Sequence, residues 1–136
     1  MSHARDFSLT ATLYSHILGD MESLFFDNWT TQLRKGILEL GVLASLRGSR
    51  LYGYEIVKRL GNIPGLVIGE GTVYPILSRF KRDGLVNTTL VESNEGPARK
   101  YYELTSLGRR ELERMRESWR WVRDGIDSLS PEAKTS

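Results

Sequence analysis

Between residues 70 and 82 the chain reads Glu-Gly-Thr-Val-Tyr-Pro-Ile-Leu-Ser-Arg-Phe-Lys-Arg, mixing hydroxyls and cations with apolar side chains. Val73, Ile76, Leu77 and Phe80 recur at the spacing of one helix face, which turns Thr72, Tyr74, Ser78 and Arg79 outward, with Lys81 and Arg82 after them. Such a face suits the major groove of double-stranded DNA: residues near the helix N-terminus reach base edges, and cations and hydroxyls hold phosphates. Further along, Arg99 and Lys100 stand together beside Tyr101 and Tyr102, where a basic hairpin would grip the backbone or a neighbouring minor groove. Tyr54, at the start of an earlier helical run, joins Thr72, Tyr74, Ser78, Arg79, Lys81, Arg99 and Lys100 as a candidate DNA contact. The competing interpretation of the same residues is an ordinary solvated polar face and a charged hairpin.

Other chemistries are poorly served. Cysteine is absent, so disulfides, thiolate catalysis and cysteine zinc sites are excluded. The two histidines, His3 and His16, both lie near the N-terminus, which offers no catalytic triad and no histidine metal site. Glu39, Glu55 and Glu70 have no histidine or metal-ligand spacing near them. No enzyme activity, metal or cofactor is expected. The start of the chain lacks a basic segment followed by an unbroken apolar run, and no apolar stretch approaches membrane-spanning length. The expected compartment is the cytoplasm, without membrane attachment.

A net charge of +2 conceals an uneven distribution. Residues 1–30 carry a net −3, residues 31–101 carry eleven Lys/Arg against six Asp/Glu, and residues 102–136 balance. The basic excess sits where the candidate contacts sit, as a polyanion partner requires.

The elements that must position these residues follow from periodicity. Leu9, Leu13, Ile17, Met21 and Leu24 or Phe25 predict an amphipathic helix over residues 8–26. Thr30 is a plausible N-cap for a second helix to about Arg47, apolar nearly all round at Ile37 to Leu43. A short third helix spans about Tyr52 to Leu60, and 61–69 is a turn-rich connection. Pro75 belongs in a helix's first turn, so the candidate recognition helix is expected to start at Gly71 or Thr72 and stop at Asp83-Gly84. Strand-like runs at Val86 to Glu92 and Ala98 to Leu104 flank a loop-forming stretch, Ser93 to Pro97. Thr105 then caps a helix to about Leu129. The fold class is mainly α with one hairpin: a winged helix-turn-helix with an N-terminal helix and a long C-terminal helix. The expected division is an N-terminal extension (1–29), the winged domain (30–104), the C-terminal helix (105–130) and a tail (131–136).

On that last helix Leu112, Met115, Trp119, Val122, Ile126 and Leu129 are spaced 3, 4, 3, 4, 3, an a/d seam with charged flanks. A narrow stripe of this kind suits pairing with one other helix, from a second subunit or from the same chain's second helix. Trp119 lies in the seam and Trp121 points away from it. Large aromatics at a seam are core, or they wall a slot for a planar aromatic ligand, with Arg116 and Arg123 placed to meet an acidic group on it.

The runs Arg34-Lys35-Gly36-Ile37-Leu38-Glu39-Leu40-Gly41-Val42-Leu43, Tyr52-Gly53-Tyr54-Glu55-Ile56 and Glu70 to Phe80 together resemble the PadR family of regulators. Asp83-Gly84-Leu85-Val86, Gly96-Pro97-Ala98-Arg99-Lys100-Tyr101-Tyr102 and Leu104-Thr105-Ser106-Leu107-Gly108 extend the resemblance through the wing and its exit, over roughly residues 33–125. The resemblance implies a homodimeric transcriptional repressor on a pseudo-palindromic operator, paired through its C-terminal helices and released by a small molecule or stress signal. Glu117-Ser118-Trp119 is similar to the helix of a multidrug-sensing member whose tryptophan stacks flat drugs at the dimer interface, although Met115 and Arg116 differ from the residues found beside it there. A different class of function, a winged-helix docking or dimerisation module without DNA binding, would be expected to carry a neutral recognition face. The excess charge on residues 31–101 disfavours it.

Overall fold

A computed structural model describes residues 2–130, and the expected tail, 131–136, lies outside the described residues. The elements run α1 (Ser2–Ser45), β1 (Leu51–Tyr52), α2 (Gly53–Gly61), α3 (Glu70–Arg82), β2 (Val86–Ser93), β3 (Gly96–Leu104) and α4 (Ser106–Asp127). Four expectations change.

The two helices expected at 8–26 and 30–47 are one, because nothing between residues 20 and 35 breaks a helix: the stretch holds neither glycine nor proline. Thr30 does not cap. Its hydroxyl donates to the Asp27 carbonyl oxygen at 3.0 Å, and the Thr31 hydroxyl donates to the same oxygen at 2.8 Å. This back-bonding lets both side chains sit inside a helix rather than at its end. The chain separates into two compact units between Ile37 and Leu38. In the first unit Leu9, Leu13, Ile17, Met21, Leu24 and Phe25 are all exposed, so the N-terminal stripe is uncovered.

The second unit holds the core. Val42, Leu43 and Leu46 of α1, Ile56 and Leu60 of α2, and Val73, Leu77 and Phe80 of α3 are buried with Leu51, Val86, Tyr102, Leu104 and Leu112. Each such side chain contributes about 1.5–3 kcal/mol by leaving water. No buried polar or charged residue interrupts this core among the described residues.

Helix α3 begins at Glu70, ahead of the expected start, with Gly69 as its N-cap. Pro75 therefore sits in the second turn, where it denies the Gly71 carbonyl its usual donor. Both residues are exposed, so water can serve that carbonyl instead.

The sheet is antiparallel in the order β1-β3-β2. Strand β1 was invisible to periodicity because it is only Leu51–Tyr52, paired with Tyr102 and Tyr101. The expected five-residue loop narrows to a turn at Asn94–Glu95 between paired Ser93 and Gly96, with an irregular register between Val91 and Ser93. Pro97 is tolerated in the central strand because β1 reaches only residues 101 and 102, leaving an open edge at 97.

Thr105 is the hinge between wing and last helix. Its hydroxyl oxygen accepts from Gly108 N at 2.9 Å, capping α4, and its O–H donates to the Gly84 carbonyl at 2.6 Å. The start of α4 is thereby pulled onto the turn after α3. A Cβ on Gly108 would lie 2.0 Å from the Leu85 carbonyl oxygen, a backbone atom that cannot swing aside. Gly108→Ala is therefore expected to lower stability by about 1–3 kcal/mol through overpacking. Thermal unfolding by circular dichroism checks this, and an unchanged Tm refutes the contact.

Candidate nucleic-acid interface

The first turn of α2 and the first turns of α3 meet at a glycine. An ideal Cβ on Gly53 would fall 2.5 Å from two carbons of the Tyr74 ring and 2.6 Å from its hydroxyl oxygen. Only the missing side chain lets the hydroxyl end of the phenol come this close to the α2 backbone. Tyr74 also borders Tyr102 of β3, whose phenol pKa is raised by burial and by the neighbouring Tyr74 phenol. Helix α2, helix α3 and the wing's central strand thus meet around one ring. Tyr74 remains 41% exposed.

From this junction the polar face of α3 opens outward. Thr72, Ser78 and Lys81 are exposed, as is Tyr54 at the start of α2. Arg79 departs from expectation. Its Nη2 is ion-paired with Glu39 Oε1 of α1 and its guanidinium leans over Phe80 at 5.8 Å, so its charge is already partnered within the chain.

The hairpin separates the two wing cations. Leu51 pairs with Tyr102 on the buried face, and Tyr52 pairs with Tyr101 on the outer face. Because side chains alternate along a strand, Lys100 shares the face of Tyr102 and Leu104, while Arg99 shares that of Tyr101 and Glu103. The Arg99 guanidinium lies 4.7 Å from the centre of the Tyr52 ring. Arg99 and Lys100 therefore project from opposite faces of the strand. Two cations outside the expected set also stand against tyrosines: Arg50 over Tyr101 at 5.3 Å and Lys58 over Tyr54 at 5.6 Å. Two tyrosines, Tyr52 and Tyr54, flanked by Arg50 and Lys58 were the available sequence signal, but the cluster carries no meaning until β1 is known.

On α4 the expected seam divides. Leu112 is 1% exposed and belongs to the chain's own core, since the first turns of α4 pack on the winged domain. Met115 is half-buried, and Trp119, Val122, Ile126 and Leu129 are exposed. Trp121 is 70% exposed against 37% for Trp119, as their different helix faces require. Arg116 pairs with Glu113 at 3.3 Å and Arg123 with Asp124 at 2.9 Å, so both expected ligand-meeting cations are held by carboxylates of their own helix. Among the described residues no group of His, Asp or Glu could hold a metal ion, and no helix is long and apolar enough to cross a membrane.

Two outcomes follow from the junction at Gly53 and Tyr74. Gly53→Ala is expected to leave the helices formed but push the Tyr74 ring aside, weakening DNA binding at least as much as Tyr74→Ala; unchanged affinity refutes it. A raised folded-state pKa for Tyr102 means its full contribution persists below pH 10 and is lost as pH climbs above that value, because only the unfolded chain then ionises freely. Urea midpoints on either side of pH 10 should fall less steeply in Tyr102→Phe than in the parent protein.

The sequence model of the Transcriptional regulator PadR-like family matches residues 42–114, more than half of the chain and every candidate DNA contact from Tyr54 to Lys100. Among solved structures, a PadR-like transcriptional regulator from Bacillus cereus is 36% identical, with a TM-score of 0.66 over 72% of this chain and 95% of its own. A PadR family regulator from Eggerthella lenta is 32% identical, with a TM-score of 0.69 over 77% of this chain and 91% of its own. An uncharacterized protein of Lysinibacillus sphaericus is 30% identical over 68% of this chain and 87% of its own length. The winged arrangement of α1–α3, β2 and β3 and these likenesses agree: the chain belongs to the PadR-like family and is a DNA-binding transcriptional regulator, not an enzyme.

Proposed function

We propose that the chain acts in the cytoplasm as a homodimer that recognises a pseudo-palindromic operator, represses transcription and is released by a small-molecule or stress signal. The observation that carries sequence-specific recognition is the junction at Gly53 and Tyr74. It seats Tyr74 between α2 and the wing's central strand, with Thr72, Ser78 and Lys81 exposed on the same helix. A side chain already seated in this way loses less freedom on entering a major groove.

The homodimer is supported by apolar surface with no cover in a single chain. Trp119, Val122, Ile126 and Leu129 form one exposed stripe on α4, and Leu9, Leu13, Ile17 and Met21 form another on the N-terminal unit. A second copy offers identical stripes, and two-fold pairing is the commonest way to bury them. The seam then starts at Met115 rather than Leu112. A planar aromatic effector stacking on Trp119 fits this scheme, since its partly exposed ring would face its counterpart across the seam. Arg116 and Arg123 would have to leave their carboxylates to assist.

Selection from a random DNA pool with the purified protein is expected to enrich an inverted repeat with half-site centres about 10 base pairs apart, or a multiple of that. No enrichment at low or moderate salt overturns this reading in favour of a docking module. Val122→Asp or Ile126→Asp places a charge in the apolar seam, which costs several kcal/mol unless the helices part. Ultracentrifugation should show monomer, with a collapse of operator affinity; a variant still dimeric at micromolar concentration refutes the seam. Tryptophan quenching by flat aromatics should disappear in Trp119→Phe and persist in Trp121→Phe, and the reverse pattern removes the effector from the seam.

A further inference from the structure

Three of the four cation–ring contacts in the chain's described residues fall within one continuous row. The Tyr52 and Tyr101 rings meet edge to face at 5.4 Å, and the Tyr52 and Tyr54 rings stack at 6.5 Å. Each ring carries its own cation: Arg50 on Tyr101, Arg99 on Tyr52 and Lys58 on Tyr54. The row crosses three elements, since Tyr101 and Arg99 lie on β3, Tyr52 on β1, and Tyr54 and Lys58 on α2. All three cations are exposed, and none forms an ion pair among the described residues. The carboxylates nearest in the fold are otherwise placed: Glu55 accepts from the Tyr52 backbone N–H at 3.3 Å, and Glu103 lies two residues beyond Tyr101 without an ion pair.

Arrangements of this kind are costly to leave empty. Like charges held in one row repel one another, and a long side chain parked on a ring has given up part of its rotamer freedom. An external row of negative charges repays both terms at once. From these contacts we propose that Arg50, Lys58 and Arg99 form a phosphate-gripping strip that follows one DNA strand, with Tyr52 as the central positioning residue. The strip is separate from the base-facing side of α3. Tyr52 touches no phosphate in this scheme; it holds Arg99 directly and braces the Tyr54 and Tyr101 rings that hold Lys58 and Arg50. The inference rests on the DNA-binding reading above and adds two cations, Arg50 and Lys58, that the sequence did not single out.

The test uses the full chain and a random-sequence duplex of about 30 base pairs, long enough to span two half-sites about 10 base pairs apart. Affinity is followed by fluorescence anisotropy over a series of salt concentrations. Arg50→Ala and Lys58→Ala are each expected to lower the slope of log affinity against log salt by about one, because each phosphate contact releases about one counterion. Tyr52→Leu keeps every charge yet is expected to weaken binding about two- to five-fold, in line with exposed cation–ring energies, while Tyr52→Phe retains the ring and restores parental affinity. In an Arg99→Ala background the Tyr52→Leu loss should shrink, which a purely structural role for Tyr52 would not produce. Unchanged salt slopes in both Arg50→Ala and Lys58→Ala, with Lys81→Ala still weakening binding, overturn the strip and leave DNA binding standing. Equal affinities for Tyr52→Leu and Tyr52→Phe overturn the positioning role, and a parent protein that binds no duplex at low salt overturns strip and DNA reading together.

Discussion

A missing methyl group organises the DNA-facing half of this molecule. Where Gly53 stands, any Cβ would collide with the Tyr74 ring, and that ring in turn borders Tyr102. The contact brings the first turns of two helices and the central strand to one aromatic ring. Because the Tyr74 ring is still 41% exposed, it can both fill this junction and reach outward.

The same economy governs the exit from the winged domain. Thr105 ties the Gly84 turn, the Leu85 backbone and the first turn of α4 together through three hydrogen bonds. Gly108 then lets α4 sit against that backbone. Any reorientation of α4 in a dimer must either bend the helix beyond Leu112 or strain this junction. In the proposed dimer, a ligand stacked on Trp119 would act on the turn that ends α3 through this junction, provided it binds one arrangement better than another.

Much of this was legible in the sequence because it depends on periodicity and turn chemistry. The apolar spacing of Val73, Ile76, Leu77 and Phe80 fixed the face of α3, and Thr105 announced its own helix. What escaped detection depended on contacts between distant residues or on very short elements. Two residues, Leu51 and Tyr52, make a strand only because β3 is there to pair with them. Thr30 has the composition of a cap and the environment of a helix interior. Arg79 looked free because its partner, Glu39, lies forty positions away. Leu112 obeys a heptad spacing that, at its first position, serves the core of its own chain. The separation of Arg99 from Lys100 required only the pleat, but the pleat has no meaning until the register with β1 and β2 is known.

The wing also bears on how one copy of the protein meets another. Beyond the two positions paired with β1, strand β3 presents an open edge, and β2 is an edge along its whole length. Unpaired strand edges invite further strands from other molecules, which is a route to aggregation. Here the open stretch of β3 contains Pro97, which has no N–H to offer, and the irregular register between Val91 and Ser93 disturbs the other edge at the same level. Cations at 99 and 100 discourage a second identical wing from approaching. An element proposed to grip nucleic acid is thereby also unsuited to growing into a larger sheet.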